Sequence, residues 1–180
     1  MKITIKKTTS LGKKMNVPWM KDDEISLIEK YISKDSLFLE YGSGYSTKWL
    51  SDRVHKIVSV EHHREWHEKV KNTLKDSTNI EYLLIEPSVS WDDRHDGTLN
   101  EFFDYVHSPL SLVDHLDFAL VDGRARVACC NAIIQKFSDS VIFFHDFTNR
   151  AFDGVHDYGN VLDFLEIIDQ SSTLVALRKK

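Results

Sequence analysis

Acids and a histidine stand where apolar runs stop. Asp122 follows Asp117–Val121, and His145 and Asp146 follow Val141–Phe144. If those runs are neighbouring strands, the side chains meet at one mouth. Two nearby carboxylates repel, so one is forced towards its neutral form unless a cation sits between them. Two chemistries follow. A hard divalent ion, magnesium or manganese, bridges Asp122 and Asp146 and polarises a hydroxyl; or one of Asp122, His145 and Asp146 takes that hydroxyl's proton as a general base. Arg124 and Arg126 follow the first acid and Arg150 the second. Guanidinium groups there suit a partner rich in hydroxyls or carrying a carboxylate, such as a sugar acid.

Earlier in the chain, Leu37–Tyr41 runs into Gly42-Ser43-Gly44 and then Ser46 and Thr47. Glycine lets the backbone turn sharply and approach a ligand with no Cβ in the way. Glu61 closes Ile57-Val-Ser-Val, about twenty residues beyond that turn, where a carboxylate can accept both protons of a ribose diol. A dinucleotide fingerprint would need a third glycine where Thr47 stands. His63 and His67 can share a helix face, but no third ligand follows at zinc spacing. Zinc is therefore not expected there. Trp19 and Met20 either lid the site or fill the core, and Trp91 is an aromatic in a polar stretch. The adjacent Cys129 and Cys130 lie in an apolar helical segment and read as small core residues.

The elements that must hold these residues alternate. Helix-type segments are Asp22–Ile32, Thr47–Asp52, Arg64–Leu74, Leu99–Val106, Val127–Phe137 and Val161–Ile168. Strand-type runs are Leu37–Tyr41, Lys56–Val60, Ile80–Ile85, Asp117–Val121, Val141–Phe144 and Thr173–Leu177. Apolar strands between helices predict a doubly wound, mostly parallel α/β sheet covered on both faces. In such sheets ligands bind beyond the carboxyl ends of the strands, near the reversal of strand order.

The 180 residues fit one domain, with residues 1–21 as an N-terminal segment and candidate lid. With 23 Lys and Arg against 28 Asp and Glu, the net charge of −5 disfavours a phosphate-driven nucleic-acid binder. No apolar run is long enough to span a membrane. The basic start, Met1 to Lys7, lacks the apolar stretch of a secretory signal, and two cysteines cannot staple a fold of this size. A cytoplasmic protein is expected.

Leu39–Thr47 followed by Val58–Glu61 resembles the first two motifs of class I S-adenosylmethionine-dependent methyltransferases, and Asp117–Arg124 and Val141–Phe147 resemble that superfamily's fourth and fifth strands. The resemblance spans residues 37 to 147. It implies a Rossmann-like fold and S-adenosylmethionine as cofactor. Glu40, Gly42, Ser43 and Gly44 would surround the amino-acid end, positioned with Ser46 and Thr47. Glu61 would hold the ribose and His62 the adenine, with Glu86 at the position after the third strand and Asp122 near the reacting methyl. Asp122 and Asp146 match metal-binding acids of catechol-type and macrocin-type O-methyltransferases, and Val121-Asp122-Gly123 with His145-Asp146 is similar to glucuronoxylan O-methyltransferases. Catechol-type enzymes carry Asn or Asp after the second acid; here it is Phe147. The implied activity is O-methylation of a small molecule or glycan sugar. Little sequence after the fifth strand is left for an acceptor domain, which implies a small or open-ended acceptor, or a homodimer completing the site. The rivals are a nicotinamide-linked oxidoreductase of Rossmann type and a cofactor-binding module without turnover.

Overall fold

The computed structural model describes residues 17–92 and 94–180. Most of the candidate lid therefore lies outside the described residues. Seven strands form one sheet: β1 (Leu37–Tyr41), β2 (Lys56–Glu61), β3 (Ile80–Leu84), β4 (Phe118–Val121), β5 (Val141–Phe144), β6 (Leu165–Gln170) and β7 (Val175–Lys179). Their order is β3-β2-β1-β4-β5-β7-β6. The first five run parallel, and β7 enters antiparallel between β5 and β6. The doubly wound, mostly parallel sheet expected from the sequence is the one found.

Alternation along each strand divides the core. Phe38, Leu120 and Phe143 face α1 (Asp22–Glu29) and α2 (Tyr45–Ser51), where Leu27, Ile28, Trp49 and Leu50 meet them. Leu39, Tyr41, Val121 and Phe144 face the other layer, which holds α4 (Phe103–His107) and α5 (Arg126–Lys136). Cys129 and Cys130 are fully buried there, as expected. Each large apolar side chain so buried contributes about 1.5–3 kcal/mol. Against β2 and β3 lies α3 (Arg64–Thr73), and the short α6 (Phe147–Arg150) follows β5. Among the described residues no helix is long and apolar enough to cross a membrane.

One expected element is corrected. Val161–Ile168 is not a helix but a 3₁₀ turn, Tyr158–Asp163, followed by β6. Val161, Leu162 and Leu165 mimic helical spacing, while a bulge between Ile167 and Asp169 breaks the two-residue period that would have marked a strand.

Candidate functional site

Strand order reverses between β1 and β4, and the loops leaving these two strands touch. Gly42 has φ +91°, and a Cβ there would lie 2.6 Å from Gly123 Cα. A Cβ on Gly123 would sit 2.8 Å from Gly42 N and 2.1 Å from Tyr105 Oη. No side chain fits between these backbones, so the crevice opens directly over them. Its volume is about 540 Å³.

Beneath the turn lies Glu40, fully buried. It accepts hydrogen bonds from Ser46, Thr47 and Ser59, each at 2.6 Å. Burial pushes its pKa up to about 7 against the pull of those hydroxyls. Thr47 Oγ1 in turn accepts from Gly44 N at 3.0 Å. Ser46 and Thr47 thus fasten the glycine turn to the sheet. Ser46 reaches the cleft wall; Glu40 and Thr47 lie below it.

Glu61 ends β2 at the cleft wall, with its carboxylate pinned on both sides. Oε1 accepts from His62 N at 2.9 Å and His63 N at 2.8 Å; Oε2 accepts from Ser43 N at 3.1 Å and Ser43 Oγ at 3.0 Å. Tyr82 Oη donates to Ser43 Oγ at 2.6 Å. Burial alone would raise the Glu61 pKa, but His62, His63 and Ser43 outweigh it and hold the carboxyl below its usual range. The His62 ring stands edge-on to Trp91 and Phe102, at 5.6 and 5.8 Å. Glu86 lies outside the cleft, paired with Arg64 at the surface.

At the other end stand Asp122 and Asp146. Asp146 has φ +58° and Ala125 φ +49°, left-handed values that a non-glycine residue adopts at a cost of about 1–2 kcal/mol. Such strain collects at functional sites. His145 lies behind the acids, with Nδ1 3.0 Å from Asp122 Oδ1 and Nε2 3.4 Å from Glu24 Oε2. Burial opposes a charge on this ring, but Asp122, Asp146 and Glu24 overcome it and raise its pKa above the ordinary histidine value. With a carboxylate at each nitrogen, His145 bridges Asp122 and Glu24. Arg150 Nη2 lies 3.3 Å from Asp146 Oδ2, and Arg124 stacks 4.7 Å over Trp91.

Sequence reasoning missed Tyr45, Trp66 and Glu24. Trp66, on α3, donates Nε1 to Ser43 O at 2.8 Å and stands 5.5 Å from Trp19, which also lies 5.5 Å from Tyr45. These three rings line the mouth. Glu24, in the first turn of α1, is buried and reaches the His145 ring at 3.4 Å. None of them carries a local signal. His63 and His67 do not converge: His63 caps α3 through Nδ1, and His67 stacks on Tyr82 at 4.3 Å.

No family model matches the chain, and no curated protein does. Solved structures do. A methyltransferase-like protein from Silicibacter pomeroyi is 22% identical, with 92% of this chain and 89% of that one covered at a TM-score of 0.73. A Streptococcus mutans protein in complex with SAH is 13% identical, with 89% and 100% covered at 0.59. Fibrillarin of Aeropyrum pernix, with natively bound S-adenosyl-L-methionine, is 16% identical, with 82% and 68% covered at 0.57. The chain has the methyltransferase fold. In that fold the crevice over Gly42 and Gly123 occupies the switch point where an α/β sheet takes its ligand.

Proposed function

We propose that this chain is an S-adenosylmethionine-dependent O-methyltransferase acting on a hydroxyl of a small molecule or sugar unit. The observation that carries the reading is the convergence, in one crevice of a methyltransferase fold, of the Gly42–Gly123 contact, the Glu61 carboxylate and the Asp122 carboxylate. The bare backbone of Gly42 to Gly44 would cradle the amino-acid end of the cofactor. Glu61 would take the ribose hydroxyls, and since its four acceptor positions are filled, the rotatable Ser43 hydroxyl is the one to give way. His62 would face the adenine. S-adenosylmethionine, when bound, supplies a methyl group on a sulfonium, and transfer asks the protein mainly for alignment. Asp122 would accept the acceptor's proton, oriented by His145, whose own nitrogens are both engaged. Arg124 and Arg150 line the same cleft and suit a hydroxyl-rich or acidic acceptor.

Titration calorimetry with S-adenosylmethionine, its demethylated product and NAD tests the cofactor. Saturable binding of the first two is expected; tight NAD binding with no response to the sulfonium cofactor would overturn the reading. Incubation with phenols, sugars and sugar acids, read by a methyl mass shift, then identifies the acceptor. Cofactor binding without any transfer would favour a binding module.

A further inference from the structure

We infer that Arg126 is the resident cation of this cleft, its guanidinium seated between Asp122 and Asp146 so that the acid pair works without a divalent metal. The inference deepens the methyl-transfer reading and rests on it for the acids' role, though the binding test below does not. Asp122, His145 and Asp146 offer three ligand atoms within 4.8 Å of one another, a spacing that admits an ion. The surrounding charges argue otherwise.

Arg126 Nη2 lies 3.5 Å from Asp122 Oδ1, and Nη1 lies 3.8 Å from Asp146 Oδ2. The side chain is only 7% exposed. Three backbone carbonyls fix it: Nε donates to Gly123 O at 3.0 Å, Nη1 to His145 O at 2.7 Å and Nη2 to Asp122 O at 3.4 Å. Burial disfavours its charge, but Asp122, Tyr158, Asp96 and Asp146 outweigh that and raise its pKa further. Arginine stays protonated, and its planar fork holds its donors in place. Arg150 approaches Asp146 from the solvent side, and His145 clamps Asp122. The carboxylates of Asp122 and Asp146 therefore already share the Arg126 guanidinium, and Asp146 meets a second one in Arg150.

A dication at this spot would lie against the Arg126 guanidinium, already 3.5 Å from Asp122 and 3.8 Å from Asp146. Magnesium demands near-octahedral oxygen ligands at about 2.1 Å, and Phe147, the residue after the second acid, supplies none. The repulsion between Asp122 and Asp146 that called for a cation is answered by the chain itself.

The test is manganese binding, followed by electron paramagnetic resonance, to purified wild-type protein and to Asp122→Asn. Equal, non-saturating uptake up to about 1 mM in both is expected. A saturable wild-type site that disappears in Asp122→Asn would overturn the inference. Arg126→Met supplies the converse: folded protein should gain saturable manganese binding below about 1 mM that wild type lacks, and a folded variant with no gain contradicts the role given to Arg126. If that variant does not fold, the comparison of wild type with Asp122→Asn decides alone. S-adenosylmethionine titration of the same samples in excess chelator keeps the two readings apart, because lost cofactor binding sinks the methyl-transfer proposal and leaves the manganese result standing.

Discussion

Glu61 has two duties, and a substitution separates them. Its carboxylate anchors the backbone of Ser43, His62 and His63, and it is the acceptor group proposed for the ribose. Glu61→Ala should weaken S-adenosylmethionine binding at least tenfold, in line with about 1.5–3 kcal/mol for hydrogen bonds to a charged group. It should also lower the melting temperature, because the two loops lose a shared tether. Calorimetry and a thermal melt read these effects independently. Asp122→Asn behaves differently: cofactor affinity should stay within a few-fold while turnover on an acceptor from the screen falls about 10²-fold, the scale of losing a general base. Near-normal transfer by a folded Asp122→Asn protein would move the chemistry elsewhere in the cleft. Glu61 and Asp122 were legible because position after a strand is itself a signal in an open α/β sheet. Glu24 was not. It reaches His145 across 121 residues, and nothing in its own neighbourhood records that meeting.

Strands buried on both faces announce themselves, so β1 to β5 were legible as elements to within a residue or so. The β6–β7 hairpin was half legible, since β6 keeps one bulged edge and its apolar residues fall at helical intervals by coincidence. Where β1 and β4 end, Gly42 has a positive φ, whereas Gly123 is constrained by crowding. The distinction has a measurable consequence. Gly123→Ala forces its methyl onto Tyr105 Oη and the Gly42 backbone, and should destabilise the fold by about 1–3 kcal/mol in urea unfolding. Tyr105→Phe removes the oxygen that is closest. In the Gly123→Ala background it should recover part of the loss, whereas a φ-based penalty would be untouched. No recovery would assign the strain to the Gly42 side.

For the molecule as a whole, buried charge sets the pH response. Glu40 has a folded pKa of about 7 against 4.5 in its ordinary state, so the folded protein binds the extra proton between those values. Stability from this group is full below about pH 4.5 and is lost as pH rises towards 7. His145, also raised, acts with the same sign: its contribution is present below its ordinary value and disappears as pH climbs through the folded one. Glu61 has the opposite sign, stabilising above its ordinary value and failing as pH falls through its lowered one. The melting temperature should therefore decline from pH 5 to 8. Glu40→Gln should flatten that decline, gaining about 2–4 kcal/mol relative to wild type across the interval. Scanning calorimetry of both proteins at several pH values checks it; parallel curves would mean that Glu40 stays ionised throughout.

The antiparallel entry of β7 between β5 and β6 ties the order of synthesis to the readiness of the cleft. As the chain leaves a ribosome, β5 must wait with one edge open until residues 175–179 arrive to pair with it. The same segment brings Thr173, whose backbone N–H and hydroxyl bind Glu24 Oε1 at 2.9 and 2.5 Å, while the other oxygen of Glu24 faces His145. Pairings this distant in sequence close late, because loop entropy is lost before the contacts form. A nascent chain holding every loop of the cleft would still lack the brace behind Asp122. The brace behind Asp122 thus closes only when β7 is in place, and order of synthesis and order of assembly at the cleft run together.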